Sequence, residues 1–275
     1  MSHDGAMPGA GGSPRASTRH NNLPHDVRAD PGRPAHVGRQ NPARVDGSRV
    51  PSEDIDLDRL AAEVAGTLPS LNADERRVGV TVYRLLAAGE PTTPEYIARH
   101  SGIAYRRVAA VVEQLPTATV VDGAVTAFLG LRRGTGRHRL QFAGRSLATW
   151  CAWDTLFLPE LIGRPARAES RCPVTGDAIT LEVDPTLGVT RSSPADTRLS
   201  FLAHPAPFAG DVAVGFCRWI HFLSGPLAAR AWLSGTAWPG GEGDTPDRPE
   251  VIVVSLSAGV ELGRRTNMLV FGDPN

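Results

Sequence analysis

Large apolar residues are nearly absent from the first 52 residues and then recur in regular patterns to the end of the chain. The opening stretch is rich in Gly, Pro, Arg, Asn, His and Asp, and it cannot bury enough surface to offset the entropy of ordering. We therefore predict a disordered extension over residues 1–55 and a folded region over 56–275. A folded region of this size can form one large domain or two small ones.

The charge balance excludes several classes of partner. The sequence has 29 basic and 29 acidic residues, a formal net charge of zero. No overall field therefore attracts nucleic acid or an anionic membrane, and we expect neither as a partner. No apolar run reaches the ~20 residues of a membrane span, and the N-terminus lacks the apolar core of a secretory signal. The expected location is the cytoplasm.

Residues 56–135 have the pattern of a helical module that ends in a hairpin. Asn72 and Glu75 form a capping-box pattern ahead of an apolar helical stripe, which Gly89 ends. Two shorter helices follow, and the Asp-Gly pair at 122–123 is typical of a hairpin turn between alternating strands. Three helices and a hairpin predict a winged-helix-like domain.

This architecture raises the alternative of a DNA-binding regulator. The second of the two short helices has only Arg106 and Arg107 as an adjacent basic pair. A DNA-binding surface requires more positive charge than this pair supplies. We favour a module used for packing or as a lid.

Residues 136–275 differ in pattern and predict a second domain. We predict strands in "HRLQF", "RPARAESRCPVTGDAITLEVDP", "TRLSFLA" and "VGFCRWIHFLS". We predict helices in "SLATWCAWDTLFLPELIG" and "PLAARAWLSG", and a strand that runs into a helix in "EVIVVSLSAGVELGRRTNML". The predicted fold class is α+β: a winged-helix-like helical module plus a domain with a small mixed or antiparallel sheet flanked by helices.

The three cysteines, Cys151, Cys172 and Cys217, are too few and too widely spaced for a disulfide scaffold. Free thiols are the expectation in a reducing compartment. The sequence also lacks a CxxC pair, zinc-finger spacing, a GxGxxG motif and a P-loop. Chemistry at sulfur therefore depends on the surroundings of each cysteine.

Cys151 and Asp154 are three residues apart in "TWCAWDTLFLPELIG", and on the predicted helix they share a face. An anionic aspartate raises the pKa of a neighbouring thiol, so the pair makes a poor nucleophile of the papain type. It suits a sulfur that binds a soft cation and a carboxyl group that moves a proton. A buried cysteine with no chemical role is the alternative, since CxxD also occurs by chance.

"GFCRWIHFL" contains the second cysteine of interest. As a strand, it places Cys217, Trp219 and His221 on one face. His221 could serve as a base or as a metal ligand. The alternative, which we favour, is that it is a core residue without a chemical role. A thiol hydrolase using Cys151 and His221 is a weaker hypothesis, because Asp154 has the wrong charge beside the nucleophile.

Together these stretches resemble the organomercurial (alkylmercury) lyases of bacterial mercury resistance. The matching residues are "TWCAWDTLFLPELIGRPARAESRCPVTG" and "FCRWIHF", and their combined order is far more specific than any one piece. The resemblance covers roughly residues 70–270. It implies an enzyme of mercury detoxification that cleaves the carbon–mercury bond of organomercurials, giving a hydrocarbon and Hg(II) without an organic cofactor.

The resemblance also implies roles for individual residues. Cys151 and Cys217 match the cysteines that bind mercury, and Asp154, beside the metal, matches the acid that shuttles the proton to the departing carbon. Their side chains should therefore meet in space. Cys172 matches a structural cysteine and should lie apart. Three tryptophans are candidate walls of a substrate pocket, although core packing explains them equally well: Trp150, Trp153 and Trp219.

The implied partners are an organomercurial substrate, small thiols and a mercuric reductase that receives Hg(II). The sequence departs from the family at Arg218, where a further cysteine is common, and at Ala148, where an aromatic is frequent. A loop over 234–249 also looks inserted. The alternative function is a non-catalytic, thiol-based metal-binding or sensing protein with a winged-helix DNA-binding module.

Overall fold

The computed structural model describes residues 55–205, 215–235 and 249–272. The predicted extension, apart from its last residue, and most of the loop predicted over 234–249 lie outside the described residues. Within them the helices are α1 (Leu57–Thr67), α2 (Ala73–Ala88), α3 (Pro94–Ser101), α4 (Tyr105–Gln114), α5 (Asp154–Ile162), α6 (Pro226–Leu233) and α7 (Leu256–Phe271). None of these helices has the length and apolar character needed to cross a membrane.

The described strands are β1 (Thr119–Val121), β2 (Ala124–Phe128), β3 (Leu131–Arg132), β4 (His138–Phe142), β5 (Arg145–Thr149), β6 (Ala166–Arg171), β7 (Ala178–Asp184), β8 (Gly188–Ser193), β9 (Arg198–Leu202), β10 (Phe222–Leu223) and β11 (Val251–Ser255). Eight of them form one sheet in the order β1-β2-β3-β5-β4-β6-β7-β8, and three form a second in the order β10-β9-β11. Neighbouring strands in both sheets are antiparallel. The predicted α+β class is confirmed.

Local capping and turn chemistry set the ends of the first elements. The Asn72 side chain accepts hydrogen bonds from the backbone of residues 74 and 75, while Glu75 Oε2 accepts the Asn72 N–H at 2.7 Å. Gly89 ends α2 in the left-handed conformation. Asp122 and Gly123 have φ values of 50° and 74°, as a type I′ hairpin turn requires. The predicted capping box and hairpin are confirmed.

The larger sheet buries one face, as alternation along β7 shows. Ile179, Leu181 and Val183 are buried, and the residues between them are partly exposed. On the core side, the Trp153 indole N–H donates to the Gly259 carbonyl at 2.9 Å, which ties the start of α5 to α7. The core is continuous from α1 to α7.

The helix predicted from Ser146 is wrong in its first half. Arg145–Thr149 forms β5, which pairs with β4 on one side and β3 on the other, and α5 begins only at Asp154. Backbone hydrogen bonds to two neighbouring strands outweigh the helical spacing of the apolar residues, which is a weak preference on its own. The sheet is consequently larger than predicted, and β8 was not predicted at all.

The strand predicted across "VGFCRWIHFLS" is also largely wrong. Cys217–Trp219 forms a 3₁₀ turn that the Ile220 N–H closes on the Cys217 carbonyl at 3.2 Å, and only Phe222–Leu223 is a strand. Cys217 and His221 therefore do not alternate along one strand face. The Ser200 hydroxyl favours the turn, because it donates to the Trp219 carbonyl and accepts the His221 N–H.

Gly79 provides a test of the packing between α2 and β2. A Cβ at this position would overlap the ring of Phe128, which is fully buried. Gly79→Ala should therefore lower the free energy of unfolding by about 1–3 kcal/mol, measured by urea denaturation. Gly66→Ala in α1 is the control: nothing lies within 4 Å of its Cβ, so it should be neutral or stabilising by up to ~1 kcal/mol. Equal stability of the two variants would contradict the packing described.

Candidate active site

Cys151 lies in the turn between β5 and α5, not on the helix predicted for it. The turn is held by hydroxyl groups on both sides: Thr149 Oγ1 donates to the Cys151 carbonyl at 2.9 Å, and Thr155 Oγ1 donates to the Ala152 carbonyl at 2.7 Å. The Cys151 side chain is fully buried. A short polar framework thus fixes a thiol inside an apolar core.

Asp154 is the first residue of α5, and its carboxylate folds back over the turn. Its Oδ2 accepts the backbone N–H of Cys151 at 2.7 Å. The opposite side of the carboxylate lies against Gly130, where a Cβ would approach Oδ1 to 2.7 Å. The residue is only 5% exposed. Asp154 therefore has one fixed orientation beside Cys151.

Cys217 is distant from Cys151 in the sequence, and a backbone hydrogen bond joins the two turns that contain these residues. The Ala152 N–H donates to the Ile220 carbonyl at 3.3 Å, which joins the turn of Cys151 to the 3₁₀ turn of Cys217. Ser200, fully buried on β9, supports the second turn through its hydroxyl group. Two turns that are distant in sequence are thereby locked side by side.

The three side chains form one cluster. The sulfurs of Cys151 and Cys217 and a carboxylate oxygen of Asp154 all lie within 4.8 Å of one another, and all three residues are buried. It is the one group of three or more potential metal ligands found within the described ranges, and neither Cys172 nor His221 belongs to it. The predicted meeting of the two thiols with Asp154 alongside is confirmed.

Burial controls the protonation of the cluster. It raises the pKa of Asp154 to about 7, against the opposing effect of hydrogen bonds from Cys151 and the Trp150 backbone. Burial also raises the pKa of the Cys151 thiol, and a hydrogen bond with Cys217 and the Asp154 charge raise it further. Near neutral pH the site therefore holds a proton on sulfur and a carboxyl group that can either accept or donate one.

A cavity with mostly apolar walls opens onto the cluster. Both Asp154 and Cys217 line it, together with Trp150 and Trp153. Trp219 is not among the described residues that line it, and its ring packs against the Arg218 guanidinium, 4.6 Å away. The structure thus brings two of the three predicted tryptophans to the site.

Several residues that line the cavity were not predicted from the sequence. Tyr83 and Phe271, from α2 and α7, line the cavity, as does Gly130 in the turn after β2. Tyr83 and Phe271 occupy ordinary apolar positions of amphipathic helices, so nothing in the pattern separates them from core residues. For Gly130 the sequence offers a weak indication, because a glycine next to a strand often marks a turn or a close approach of another group.

The remaining candidates lie outside the cluster. His221 Nε2 lies 2.8 Å from the Arg218 carbonyl, and burial lowers the His221 pKa to about 4. Both observations agree with the interpretation of His221 as a core residue. Cys172 is buried at the β6–β7 turn, where its N–H donates to the Asp177 carbonyl at 2.9 Å. Ala148, one of the departures from the family pattern, is buried in β5.

Two thiols and a carboxyl group that meet beside a mostly apolar cavity define a site for a thiophilic metal and for molecules that contain one. The family model described as alkylmercury lyase matches residues 134–266. The chain is 38% identical to an alkylmercury lyase of Pseudomonas putida over 182 residues, covering 66% of this chain and 84% of that protein. It is 31% identical to one of Streptomyces lividans, covering 69% of this chain and 82% of the relative. The chain belongs to the alkylmercury lyase family.

A solved structure shows the same fold. The crystal structure of the mercury-bound form of MerB2 matches this chain with a TM-score of 0.55 and 22% sequence identity. The match covers 78% of this chain and 98% of that one. At this identity the likeness concerns the fold, and it extends well beyond the residues that the family model matches.

The buried carboxyl group should make stability depend on pH in a way that Asp154→Asn removes. The ordinary pKa of an aspartate is 3.8, and that of Asp154 in the folded protein is about 7. Between these values the folded state keeps a proton that the unfolded chain has lost. The contribution is thus fully present below pH 3.8 and is lost as pH rises through 7, a change of about 4 kcal/mol.

The measurement is urea denaturation of the protein and of Asp154→Asn from pH 4 to pH 8. The difference in unfolding free energy between them should shift in favour of Asp154→Asn as pH rises. Taking the difference cancels the histidines, including His221, whose lowered pKa acts in the opposite direction. Parallel profiles would show that Asp154 is not held in a dry environment.

Proposed function

We propose that this protein cleaves the carbon–mercury bond of organomercurials by protonolysis, releasing a hydrocarbon and leaving Hg(II). The observation that supports this most directly is the buried cluster in which two thiol sulfurs and a carboxylate oxygen lie within 4.8 Å of one another. Membership of the alkylmercury lyase family supports the same reaction. In this proposal Cys151, Cys217 and Asp154 are the catalytic residues, and mercury is part of the substrate.

The proposed reaction balances with two thiol protons. An organomercurial R–Hg–SR′, presented by a small thiol, exchanges its thiolate for one cysteine sulfur, and R′SH leaves with the first proton. The second cysteine binds mercury and gives its proton to the Asp154 carboxylate. Asp154 then protonates the carbon, the electron pair of the carbon–mercury bond becomes the new C–H bond, and R–H departs. Hg(II) stays bound to two thiolates.

The surroundings of the cluster favour this sequence of steps. Two soft sulfur donors push electron density onto mercury, which makes the bound carbon more basic. The aspartate can accept a proton at neutral pH and give it up again, because its pKa is about 7. Trp150 and Trp153 form part of the cavity wall that excludes water from the departing carbon.

Release of the product follows from the same chemistry. Hg(II) binds thiolates far more strongly than oxygen ligands. It therefore leaves the two buried thiolates by exchange with other thiols and not with water or carboxylates. We propose small thiols or a mercuric reductase as the recipients. No organic cofactor takes part in the proposed reaction.

We further propose that residues 56–135 form a winged-helix-like module that serves as a wall of the cavity, with residues 136–275 as the catalytic domain. Tyr83 of this module lines the cavity. The module shares its sheet with the second part, because β3 pairs with both β2 and β5. Arg107, one of its adjacent basic residues, is already paired with Asp74 at 2.6 Å, which leaves less positive charge for DNA.

The decisive experiment incubates the reduced protein with an arylmercury salt and excess thiol and follows release of the arene. Asp154→Asn and Cys151→Ser should each lower the rate by about 100-fold or more, because each removes a proton-transfer or mercury-binding group. Cys172→Ser is the matched control and should keep the rate within about twofold, since Cys172 lies outside the cluster. Arene release that survives in Asp154→Asn would refute the proposed role of Asp154.

The same experiment separates the alternative of a thiol-based mercury binder. A binder would take up mercury tightly, through the same two cysteines, and would release no arene. Its DNA-binding variant would in addition shift duplex DNA at physiological salt, with an affinity that falls steeply as salt rises.

A further inference from the structure

Tyr83 is a buried phenol that the proposed reaction does not use. It lies on α2, is fully buried and lines the same cavity as Asp154. Its hydroxyl donates a hydrogen bond of 2.7 Å to the Leu129 carbonyl, 46 residues along the chain. Burial raises its pKa well above the ordinary value, and the negative charge of Asp154 adds to the rise, so the phenol keeps its proton.

The acceptor of this bond is in an unfavourable turn. Leu129 and Gly130 form the two-residue connection between β2 and β3, and both have positive φ, 24° and 87°. Such turns favour asparagine or aspartate at the first position and glycine at the second. Leucine there has a Cβ that clashes in the left-handed region. The turn therefore depends on contacts from outside it.

Two hydrogen bonds supply those contacts, one to each carbonyl of the turn. The Tyr83 hydroxyl binds the carbonyl of Leu129, and the Trp150 N–H binds the carbonyl of Gly130 at 2.9 Å. Gly130 in turn lies against the carboxylate of Asp154, so closely that an added Cβ would come within 2.7 Å of Oδ1. The turn therefore contacts the carboxylate and limits the positions that it can adopt.

We propose that Tyr83 is a positioning residue whose hydroxyl holds the Leu129–Gly130 turn against Asp154 and so fixes the direction in which the acid delivers its proton. The inference rests on the proposed function, in which Asp154 protonates the carbon. It assigns to the helical module a part in the reaction beyond enclosing the cavity. In this role the phenol acts through the turn and not directly on mercury or the reacting carbon.

The ring of Tyr83 contributes packing and its hydroxyl contributes a hydrogen bond, and a substitution can separate the two. The ring packs against Phe128 at 5.2 Å and Phe271 at 6.0 Å between centroids, and these contacts persist when the hydroxyl is removed. Tyr83→Phe therefore deletes the bond to Leu129 while keeping the volume of the side chain. Of the two hydrogen bonds to the turn carbonyls described above, the one from Trp150 then remains.

The test is single-turnover protonolysis of a phenylmercury salt in excess thiol by Tyr83→Phe, with mercury capture followed separately by the ultraviolet absorbance of the mercury–thiolate bonds. With the enzyme in saturating excess over the salt, the rate constant of arene release should fall ten- to a hundred-fold, as for other small displacements of a reacting group. Capture of mercury by the first cysteine should be unchanged, because its proton leaves with R′SH and the hydrogen bond that is removed goes to Leu129 and not to a cysteine. Tyr105→Phe, at a half-exposed tyrosine on α4, is the matched control and should leave both unchanged.

Gly130→Ala supplies a second, independent variant that acts on the same turn. Its Cβ should displace the Asp154 carboxylate, lower the protonolysis rate at least as much as Tyr83→Phe does, and leave capture intact. If Tyr83→Phe fails to fold, as judged by circular dichroism, this variant decides the matter.

Three results would overturn the proposal. Arene release by Tyr83→Phe equal to that of Tyr105→Phe would show that the hydroxyl has no role. Loss of capture in parallel with protonolysis would show that Tyr83 supports the fold as a whole and not the acid. Undiminished protonolysis in Gly130→Ala would show that the turn does not orient Asp154. Failure of the proposed function gives a different result: arene release that persists in Asp154→Asn, whatever Tyr83→Phe does.

Discussion

A thiol pair separated by 66 positions in the chain has to be brought together before any chemistry at the site can follow. The hydrogen bond from the Ala152 N–H to the Ile220 carbonyl does this directly, since it joins the two turns that present Cys151 and Cys217. Both turns are irregular, and each depends on hydroxyl groups for its shape: Thr149 and Thr155 in one, Ser200 in the other. A helix or strand in either place would point its cysteine elsewhere.

Burial then gives this geometry its chemical character. In water, a carboxyl group near two thiols would be an anion at neutral pH, and it could not donate a proton. Inside the apolar cavity its pKa is about 7, because desolvation disfavours the charged form. The walls that keep water out come from distant parts of the chain, and they include the adjacent rings of Tyr83 from α2 and Phe271 from α7. Helix α2 therefore contributes to the enclosure in which the pKa of Asp154 is raised.

Elements with local signals were predicted well from the sequence. The capping box of Asn72 and Glu75, the Asp-Gly hairpin at 122–123 and the alternation of β7 all have causes within a few residues. The prediction failed for Arg145–Thr149 and Cys217–Trp219, which adopt structures imposed by neighbouring strands and by Ser200. These two failures fall next to the site, where backbone shape is set by contacts between distant segments.

The order of residues around Cys151, Asp154 and Cys217 resembles that of the alkylmercury lyases, and this resemblance predicted from the sequence which groups form the cluster and what chemistry suits them. The composition also set where regular folding patterns begin. Tertiary structure alone decided that Trp150 and Trp153 face the cavity and Trp219 does not. It also decided that Gly130 lies against the Asp154 carboxylate and that Tyr83 lines the same cavity. The physical reason is that sequence periodicity specifies which face of an element is apolar, whereas the partner of that face depends on contacts across the whole fold.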